Sequence, residues 1–180
     1  TVERADAVIT DSRFSAEEIG ERLSVKPEKI FPIHLGLSEQ FAPPASEDIE
    51  RLRRAKGLDR PYLLFVGTIE PRKNLEFLIT VFERMSGFDG DLVLAGMRGW
   101  KYQSILKRMN DSPRTLDIRC LDYIGDEELP ALYGGAELFM FPSLYEGFGF
   151  PPLEAMACGT PVISSSTSSL PEVLGDSALL

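Results

Sequence analysis

Short apolar runs alternate along the chain with longer stretches whose apolar residues recur at helical spacing. The run 62–66 (YLLFV) is apolar throughout, which is typical of a parallel strand covered on both faces. In 74–85 apolar residues recur every three or four positions, which predicts an amphipathic helix. The same patterns predict strands at 7–10, 29–34, 62–66, 92–95, 118–123, 138–141 and 161–164. They predict helices at 15–23, 47–56, 74–85, 102–109, 127–133, 151–158 and 170–174.

This alternation predicts an α/β fold: a Rossmann-like parallel sheet with helices on both faces and right-handed crossovers. Ligands of such sheets bind outside the carboxyl ends of the strands, where the strand order reverses. The loops that follow 62–66, 92–95, 118–123 and 138–141 are therefore the first candidates for a binding site. Residues 35–46 (LGLSEQFAPPAS) break the alternation and are predicted to be an inter-domain linker.

Composition narrows the class of protein. Of 180 residues, 43% are hydrophobic and 26% charged, which is the balance of a globular domain. No apolar run reaches the ~18 residues of a membrane span. A net charge of −9 argues against nucleic acid as a partner. Because the chain starts at Thr1 rather than Met, we expect it to be a piece of a longer protein.

The two cysteines and the single histidine offer no metal-site spacing. Cys120 and Cys158 lie far apart in the sequence and form no CxxC pair. We expect buried thiols in a reducing compartment, and hence a cytoplasmic protein. His34 and Trp100 are predicted to be structural, with Trp100 packed rather than stacked on a ligand.

Two adjacent cations follow the strand 62–66 in the loop GTIEPRKN. Gly67 permits a tight turn and Asn74 is a good N-cap for the next helix. Arg72 and Lys73 then stand beside a positive helix end, which disfavours cations. A bound diphosphate would resolve this conflict, because Arg grips it bidentately and Lys adds a point charge. The alternative is two solvated cations in an exposed loop.

A second candidate site runs from the strand 138–141 into a helix through EGFGFPPLE. Gly147 and Gly149 allow close approach of a ligand and positive φ. Glu146 precedes this turn and Glu154 lies early in the helix, so the two carboxylates can address different parts of one ligand. A helix-borne carboxylate can accept from both hydroxyls of a ribose. Alternatively, Glu154 only complements the helix dipole.

Several motifs in register resemble one known family along nearly the whole chain. Glu146 and Glu154, with seven residues between them, are similar to the E-x7-E motif of the group 1 retaining glycosyltransferases of the GT-B fold, family GT4. The segments VGTIEPRKN, LVLAGMRGW, YIGDEELPALYGGAELF and PSLYEGFGFPPLEAMACGTPVI resemble that family in its order. The similarity is closest to a mannosyltransferase-like branch.

The resemblance implies a role for each matching residue. Arg72 and Lys73 would stabilise the departing diphosphate, and Glu146 would lie near the donor-sugar hydroxyls; these three form the implied catalytic set. Glu154 would bind the ribose. The implied donor-binding residues are Gly67, Thr68, Gly96, Tyr123, Ile124, Gly147, Phe148, Gly149 and Glu154, with N–H groups at Gly147 and Phe148 and the base along Tyr123 and Ile124.

The resemblance also implies a domain plan. Residues 1–35 would end an N-terminal acceptor domain, 36–60 would be the inter-domain linker with the helix that follows it, and 61–180 would be the nucleotide-sugar-binding domain, truncated at its C-terminus. Together they would form the C-terminal half of a GT-B fold. Many family members carry Arg directly after the strand-end glycine, where this chain has Thr68; Arg72 is expected to supply that charge.

The implied activity is transfer of a hexose, mannose from GDP-mannose, to a saccharide or lipid-linked saccharide with retention. No cofactor or metal is expected, since Arg72 and Lys73 supply the charge. Peripheral membrane association of the full-length protein is a further expectation. Two alternatives stay open: a sugar-nucleotide epimerase or phosphorylase of related fold, and a non-enzymatic nucleotide-binding module. Ser15 with Glu18, and Ser169 with Glu172, have capping-box spacing.

Overall fold

The structure is a computed structural model and describes residues 2–180. Seven strands are present: β1 Val8–Thr10, β2 Ile30–Pro32, β3 Tyr62–Val66, β4 Asp91–Ala95, β5 Ile118–Leu121, β6 Leu138–Phe141 and β7 Val162–Ser164. Seven α-helices alternate with them: α1 Arg13–Leu23, α2 Ser46–Lys56, α3 Leu75–Arg84, α4 Tyr102–Asn110, α5 Leu129–Gly134, α6 Phe150–Ala157 and α7 Leu170–Leu174. Among residues 2–180, no helix is long and apolar enough to cross a membrane.

Five of the strands form one parallel sheet in the order β5-β4-β3-β6-β7. The chain moves outward from β3 to β5 and then crosses back to lay β6 on the other side of β3. The strand order therefore reverses between β3 and β6. Helices α3 and α4 pack together, while α5 contacts α2 and α6, so helices cover both faces. The α/β fold with a Rossmann-like parallel sheet is confirmed.

The central strands are buried as their sequence predicts. Every residue of β4 is buried, as are the first four residues of β3. Phe65, Phe139 and Phe141 stack along the middle of the sheet with ring centroids 5.9 Å apart. This packing on both faces makes a rigid base from which the carboxyl-end loops project.

Strands β1 and β2 form a separate, two-stranded parallel sheet. Helix α1 packs against both of these strands. The outer face of the small sheet carries exposed apolar side chains, at Ile9, Phe31 and Ile33. The first turn of α1 nevertheless contacts the loop that follows β6, through Ser12 and Ser15.

Two expected helix caps, at Ser15 and at Asn74, differ from the structure. Helix α1 begins at Arg13, and its N-cap is Ser12, whose hydroxyl accepts from the backbone N–H of Ser15. The Ser15–Glu18 capping box is therefore wrong, because the helix begins two residues earlier. Asn74 stands at the N-cap of α3 but makes no side-chain cap. It has φ 56° because it also ends the 3-10 turn Pro71–Lys73.

Candidate functional site

Five of the predicted donor-binding residues line one cavity at the carboxyl edge of the sheet. The cavity has a volume of about 240 Å³ and lies over the last residues of β3 and β4. The predicted residues along its wall are Gly67, Thr68, Gly96, Tyr123 and Ile124. Asp126 and Leu129 complete the wall beside them. The structure therefore brings together residues that lie up to 57 positions apart in the sequence.

The floor of this cavity requires glycine. Gly96 has φ 144°, and a Cβ atom there would lie 2.1 Å from the carbonyl oxygen of Gly67. Gly67 has φ 149°, and its Cβ position lies 3.7 Å from Cε of Lys73. The loops after β3 and β4 thus touch through their backbones, and the cavity floor adjoins the stem of Lys73.

The two predicted cations converge on the carboxylate of Glu146. Lys73 Nζ donates to Oε1 at 2.5 Å, and Arg72 Nη1 donates to Oε2 at 2.8 Å. Arg72 Nε also donates to Glu70 at 3.0 Å. Lys73 and Glu146 are buried. A buried ion pair needs good geometry to offset the cost of its desolvation. The attraction of a second cation to the same carboxylate contributes part of that offset.

The ion pairs of Arg72 and Lys73 change the expectation that only a bound diphosphate would balance these two cations beside a positive helix end. The conflict is resolved within the chain by Glu70 and Glu146, rather than only by a bound diphosphate. The alternative of two solvated cations is also wrong for Lys73, which is buried. Burial opposes the charge on Arg72, but the hydrogen bonds that it donates to Glu146 and Glu70, together with the negative charges of both carboxylates, outweigh burial and raise the pKa of the guanidinium. Both cations are held in place by carboxylates of the same chain.

Lys73 lies at the point where the strand order reverses. Its ammonium group is 5.0 Å from the ring centroid of Phe141, the last residue of β6, while its stem adjoins Gly67 beyond β3. Arg72 joins the same two loops, since its Nη1 donates to the Tyr145 carbonyl at 2.7 Å and its own carbonyl accepts from Leu144. The cations therefore occupy the edge at which such sheets bind ligands.

Serine hydroxyls hold the carbonyl groups of the loop 146–149. Ser169 Oγ lies 3.0 Å from the carbonyl oxygens of both Glu146 and Phe148. The Gly147 carbonyl receives Ser12 Oγ at 2.6 Å and Ser15 Oγ at 3.2 Å. Three consecutive carbonyls are thus fixed by side chains from the starts of α1 and α7.

The held carbonyls set the direction of the N–H groups. In a trans peptide the C=O of one residue and the N–H of the next point in opposite directions. The N–H groups of Gly147, Phe148 and Gly149 therefore point away from the serines. None of the hydrogen bonds within residues 2–180 uses the N–H of Gly147 or Phe148. Successive unpaired N–H groups favour an anion or another acceptor.

The two glycines of this loop differ. Gly149 has φ 104°, which is the expected positive value, and it immediately precedes α6. Gly147 lies outside the positive-φ residues, so that part of the expectation is wrong. A Cβ atom at Gly147 would lie 3.3 Å from the Asp11 carboxylate. At Gly147 the loop therefore packs closely against the residues that precede α1, and a larger side chain would require Asp11 to shift.

Glu154 lies in the second turn of α6 and contacts α5. Its Oε2 accepts a hydrogen bond of 2.6 Å from the hydroxyl of Tyr133. Burial raises the pKa of Glu154, and the nearby charge of Asp126, on the cavity wall, raises it further. The first turn of α6 has no acidic residue, so Glu154 is not placed to complement the helix dipole. Glu154 therefore has a tyrosine as its partner, whereas Glu146 has two cations.

Four residues at this site were not found from the sequence: Ser12, Ser15, Tyr133 and Glu172. Glu172 accepts from the N–H groups of Arg13 and Phe14 and contacts His34, and Ser169 binds carbonyls. The Ser169–Glu172 capping box is therefore wrong, because both side chains have partners from distant segments. The only signal for them in the sequence was the pair of serines at the start of α1, Ser12 and Ser15.

Other minor expectations also change. Trp100 is 60% exposed and so is not packed; Lys101 Nζ lies 4.7 Å from its ring centroid. Cys158 is buried, and burial raises the pKa of its thiol to about 11, while Cys120 is half-buried. Among residues 2–180, no group of three or more His, Cys, Asp or Glu residues is arranged to hold a metal.

The chain does contain one Asp-x-Asp triplet, Asp89-Gly90-Asp91, but it is far from the cavity. It lies at the amino end of β4, the opposite edge of the sheet. Arg60 pairs with Asp89 at 2.6 Å and with Asp91 at 3.0 Å. These carboxylates therefore belong to an ion-pair network around Arg60, in which Asp89 is exposed and Asp91 is buried.

Comparison with known proteins gives the family. The profile of the family "Glycosyl transferases group 1" matches residues 47–178. An O-antigen chain mannosyltransferase B of Escherichia coli is 36% identical over the whole chain, which covers 48% of that protein. A serotype-specific mannosyltransferase WbdA of the same species is 34% identical over 96% of the chain and 22% of its own length. The chain spans about half the length of the first of these relatives and less of the second.

Solved structures give the fold. Sucrose-phosphate synthase from Thermosynechococcus elongatus has a TM-score of 0.84 at 28% identity, covering 99% of this chain and 46% of that one. Anabaena HepE in complex with UDP and glucose has a TM-score of 0.82 at 22% identity, covering 93% and 46%. The expected family, its mannosyltransferase-like relatives and the GT-B fold are confirmed. The chain belongs to the group 1 glycosyltransferases and has the Rossmann-like α/β architecture of half a GT-B enzyme.

Proposed function

We propose that this chain binds the nucleotide-sugar donor of a retaining hexosyltransferase. One observation carries the proposal. Arg72 and Lys73 converge on Glu146 where the strand order reverses, beside a loop whose N–H groups point away from its anchors. Fixed cations and fixed N–H groups at one edge of a parallel sheet suit a diphosphate.

The proposed reaction has a demand that these groups meet. When the bond between the anomeric carbon of the donor sugar and the diphosphate oxygen breaks, negative charge develops on the departing diphosphate. Donors that are already oriented stabilise that charge without reorganising at the moment of reaction. Arg72 and Lys73 are oriented in this way by Glu70 and Glu146, and a diphosphate would share or replace these carboxylate contacts.

Different parts of the donor fit different parts of the site. The nucleoside would lie in the cavity lined by Thr68, Tyr123 and Ile124, with the ribose diol bound by Glu154. The diphosphate would lie over Arg72 and Lys73. The N–H groups of Gly147 and Phe148 would also face the diphosphate, and the hexose would then lie near Glu146. The second oxygen of Glu154, Oε1, makes no hydrogen bond within residues 2–180 and is available to a ribose hydroxyl.

The relatives support the finer assignment. Two of them are named mannosyltransferases, which favours mannose, and we assign GDP-mannose as the donor. The name of the first, an O-antigen chain mannosyltransferase, supports a saccharide or lipid-linked saccharide acceptor. Retention of configuration belongs to the same proposal. So does peripheral membrane association of the full-length protein, which co-sedimentation with anionic lipid vesicles would test.

The test uses the full-length protein, because the cleft of a two-domain enzyme requires both halves for proximity. GDP, UDP and ADP and their sugar conjugates are titrated by calorimetry, and mannosyl transfer to a saccharide acceptor is followed by NMR of the new anomeric centre. We expect GDP-mannose to bind best and to yield an α-linked product. Binding without transfer would favour a regulatory module, and an epimerised donor would favour an epimerase. Binding of none of them would overturn the proposal.

A further inference from the structure

We infer that Glu172 is a positioning residue that orients the donor-loop N–H groups by clamping the start of α1 onto the loop 146–149. The inference rests on the proposed function, because it assigns those N–H groups to the diphosphate donor. Within residues 2–180, Glu172 does not line the cavity and makes no hydrogen bond to the loop. It acts through residues of α1.

The carboxylate of Glu172 binds the exposed end of another helix. Its Oε1 accepts from the backbone N–H of Arg13 at 2.8 Å, and its Oε2 accepts from that of Phe14 at 3.1 Å. These are the first two N–H groups of α1, which have no partner inside the helix. A negative charge at this end also interacts favourably with the helix dipole. One side chain thus fixes both the position and the direction of α1.

His34 adds a third contact on the same carboxylate. Its Nε2 lies 2.5 Å from Oε1 of Glu172, and its ring lies 6.0 Å from the ring of Phe148. Burial disfavours the charge on Glu172, but the Arg13 N–H, His34 and the Phe14 N–H outweigh it and lower the pKa of the carboxyl. The clamp therefore holds a charged carboxylate and joins α7, α1 and the segment after β2.

The clamped end of α1 is the part that holds the donor loop. Ser12, its N-cap, and Ser15 both bind the Gly147 carbonyl. Fixing that carbonyl fixes the N–H of Phe148 in the opposite direction. Phe14 supports the contact, with its ring 5.3 Å from that of Tyr145 in an edge-to-face arrangement. A shift of α1 would release the Gly147 carbonyl and let this peptide plane rotate.

Helix α7 anchors the other two carbonyls of the same loop. Ser169, three residues before Glu172, binds the carbonyls of Glu146 and Phe148. Helix α7 therefore reaches the loop directly through Ser169 and indirectly through Glu172 and α1. The direct contact remains when Glu172 is replaced, which allows the indirect one to be measured separately.

The experiment compares GDP with GMP, because the N–H groups are assigned to the diphosphate. Full-length wild type, Glu172→Ala, Ser12→Ala and the double variant are titrated with both nucleotides by calorimetry. Glu83→Ala is the matched control: its carboxylate also joins two elements, through Arg108, but at the opposite edge of the sheet. Thermal unfolding is recorded for every variant to separate binding from stability.

We expect Glu172→Ala to reduce the ratio of GDP to GMP affinity about tenfold, the effect of losing one charge-assisted hydrogen bond. Ser12→Ala should act in the same direction, and the double variant should lose no more than the larger single loss, because both act on one peptide plane. Glu172→Gln, which keeps one acceptor, should lie between Glu172→Ala and wild type. Glu83→Ala should leave the ratio unchanged even where it lowers the unfolding temperature.

Four outcomes would overturn the inference. One is a folded Glu172→Ala protein with the wild-type ratio, and another is an equal loss of GDP and GMP affinity, which would mean a merely structural role. Fully additive losses would also overturn it. If Glu172→Ala does not fold, Ser12→Ala decides, since it keeps both backbone contacts to Glu172. A wild-type protein that binds neither nucleotide would remove the proposed function itself, and the inference with it.

Discussion

The hydroxyl of Tyr133 donates a 2.6 Å hydrogen bond to Oε2 of Glu154 and so joins α5 to α6. Burial raises the pKa of Glu154, opposed by this hydrogen bond and reinforced by the nearby charge of Asp126. Burial, together with the charge of Glu154, holds the pKa of Tyr133 well above its usual value. The fold keeps a carboxylate where its charge costs stability, as is frequent at binding sites.

The first prediction separates binding from folding at Glu154. Glu154→Gln keeps an acceptor for the Tyr133 hydroxyl and removes the partly buried charge. We expect the free energy of unfolding at pH 7 to stay equal or rise, while affinity for the nucleotide falls about tenfold, since a charged acceptor is lost from the ribose. Urea denaturation and calorimetric titration measure the two quantities. Equal loss of stability and affinity would remove the ribose role.

The same substitution has a pH signature. Because the folded pKa of Glu154 is raised, the group favours the folded state below its unfolded pKa and loses that contribution as pH rises through the folded value. Glu154→Gln should therefore lose less stability than wild type between pH 4 and pH 8. Tyr133→Phe is the control. It removes the hydrogen bond, keeps the charge, and should increase the pH dependence.

The sheet and its helices could be predicted because their signals are local. A continuous apolar run gives β3, and β6 matches its predicted bounds for the same reason. The carboxyl-edge rule then placed the loops after β3, β4 and β5 near each other. The choice of Gly67, Gly96 and Tyr123 came from the family resemblance, and these three residues line one cavity.

The anchors of the site could not be predicted, because their partners lie far away in the sequence. Ser12 and the Gly147 carbonyl are 135 positions apart, and Glu172 is 159 positions from Arg13. The spacing of Ser169 and Glu172 matches a capping box, yet tertiary contacts satisfy both side chains instead. Local spacing cannot distinguish a carboxylate that caps its own helix from one that caps another.

The backbone contact beneath the cavity gives a second prediction. At Gly96 an added Cβ would lie 2.1 Å from the Gly67 carbonyl oxygen. Gly87→Ala is a matched control, because Gly87 has φ 104° with nothing within 4 Å of its Cβ position. We expect Gly87→Ala to cost about 1–2 kcal/mol from its backbone conformation alone. Gly96→Ala should cost about 1–3 kcal/mol more from the clash and weaken nucleotide binding. Equal costs in denaturation would mean that the two loops can separate freely.

The third prediction concerns acid stability at the opposite edge of the sheet. Arg108 donates to both oxygens of Glu83, at 2.7 and 2.6 Å, and lowers the pKa of this carboxyl to about 2. A lowered pKa contributes stability above the unfolded value of 4.5, and that stability is lost as pH falls from 4.5 towards 2. Glu83→Gln should reduce the loss of unfolding free energy as pH falls from 4.5 towards 2. Glu47→Gln, at an exposed residue of α2, should leave this loss as it is in the wild type.

The last prediction tests whether the central ion pair serves the ligand or the fold. Lys73 and Glu146 have side chains only 8% and 11% exposed, so removing either partner leaves a largely buried charge. Glu146→Gln should cost about 3 kcal/mol of unfolding free energy, because it leaves the buried Lys73 ammonium without a carboxylate. Lys73→Met should cost somewhat less, because Arg72 still pairs with Glu146.

The double variant distinguishes the two roles. Lys73→Met with Glu146→Gln leaves no unpaired buried charge at this pair, so its stability should exceed that of Glu146→Gln alone. Affinity for GDP should stay low, because the cation that contacts the diphosphate is absent. Lys107→Met, which breaks an exposed pair with Asp111, is the control and should change neither quantity appreciably. If the double variant regained GDP affinity together with stability, Lys73 would serve the fold alone, and the diphosphate would be held by Arg72 and the loop N–H groups.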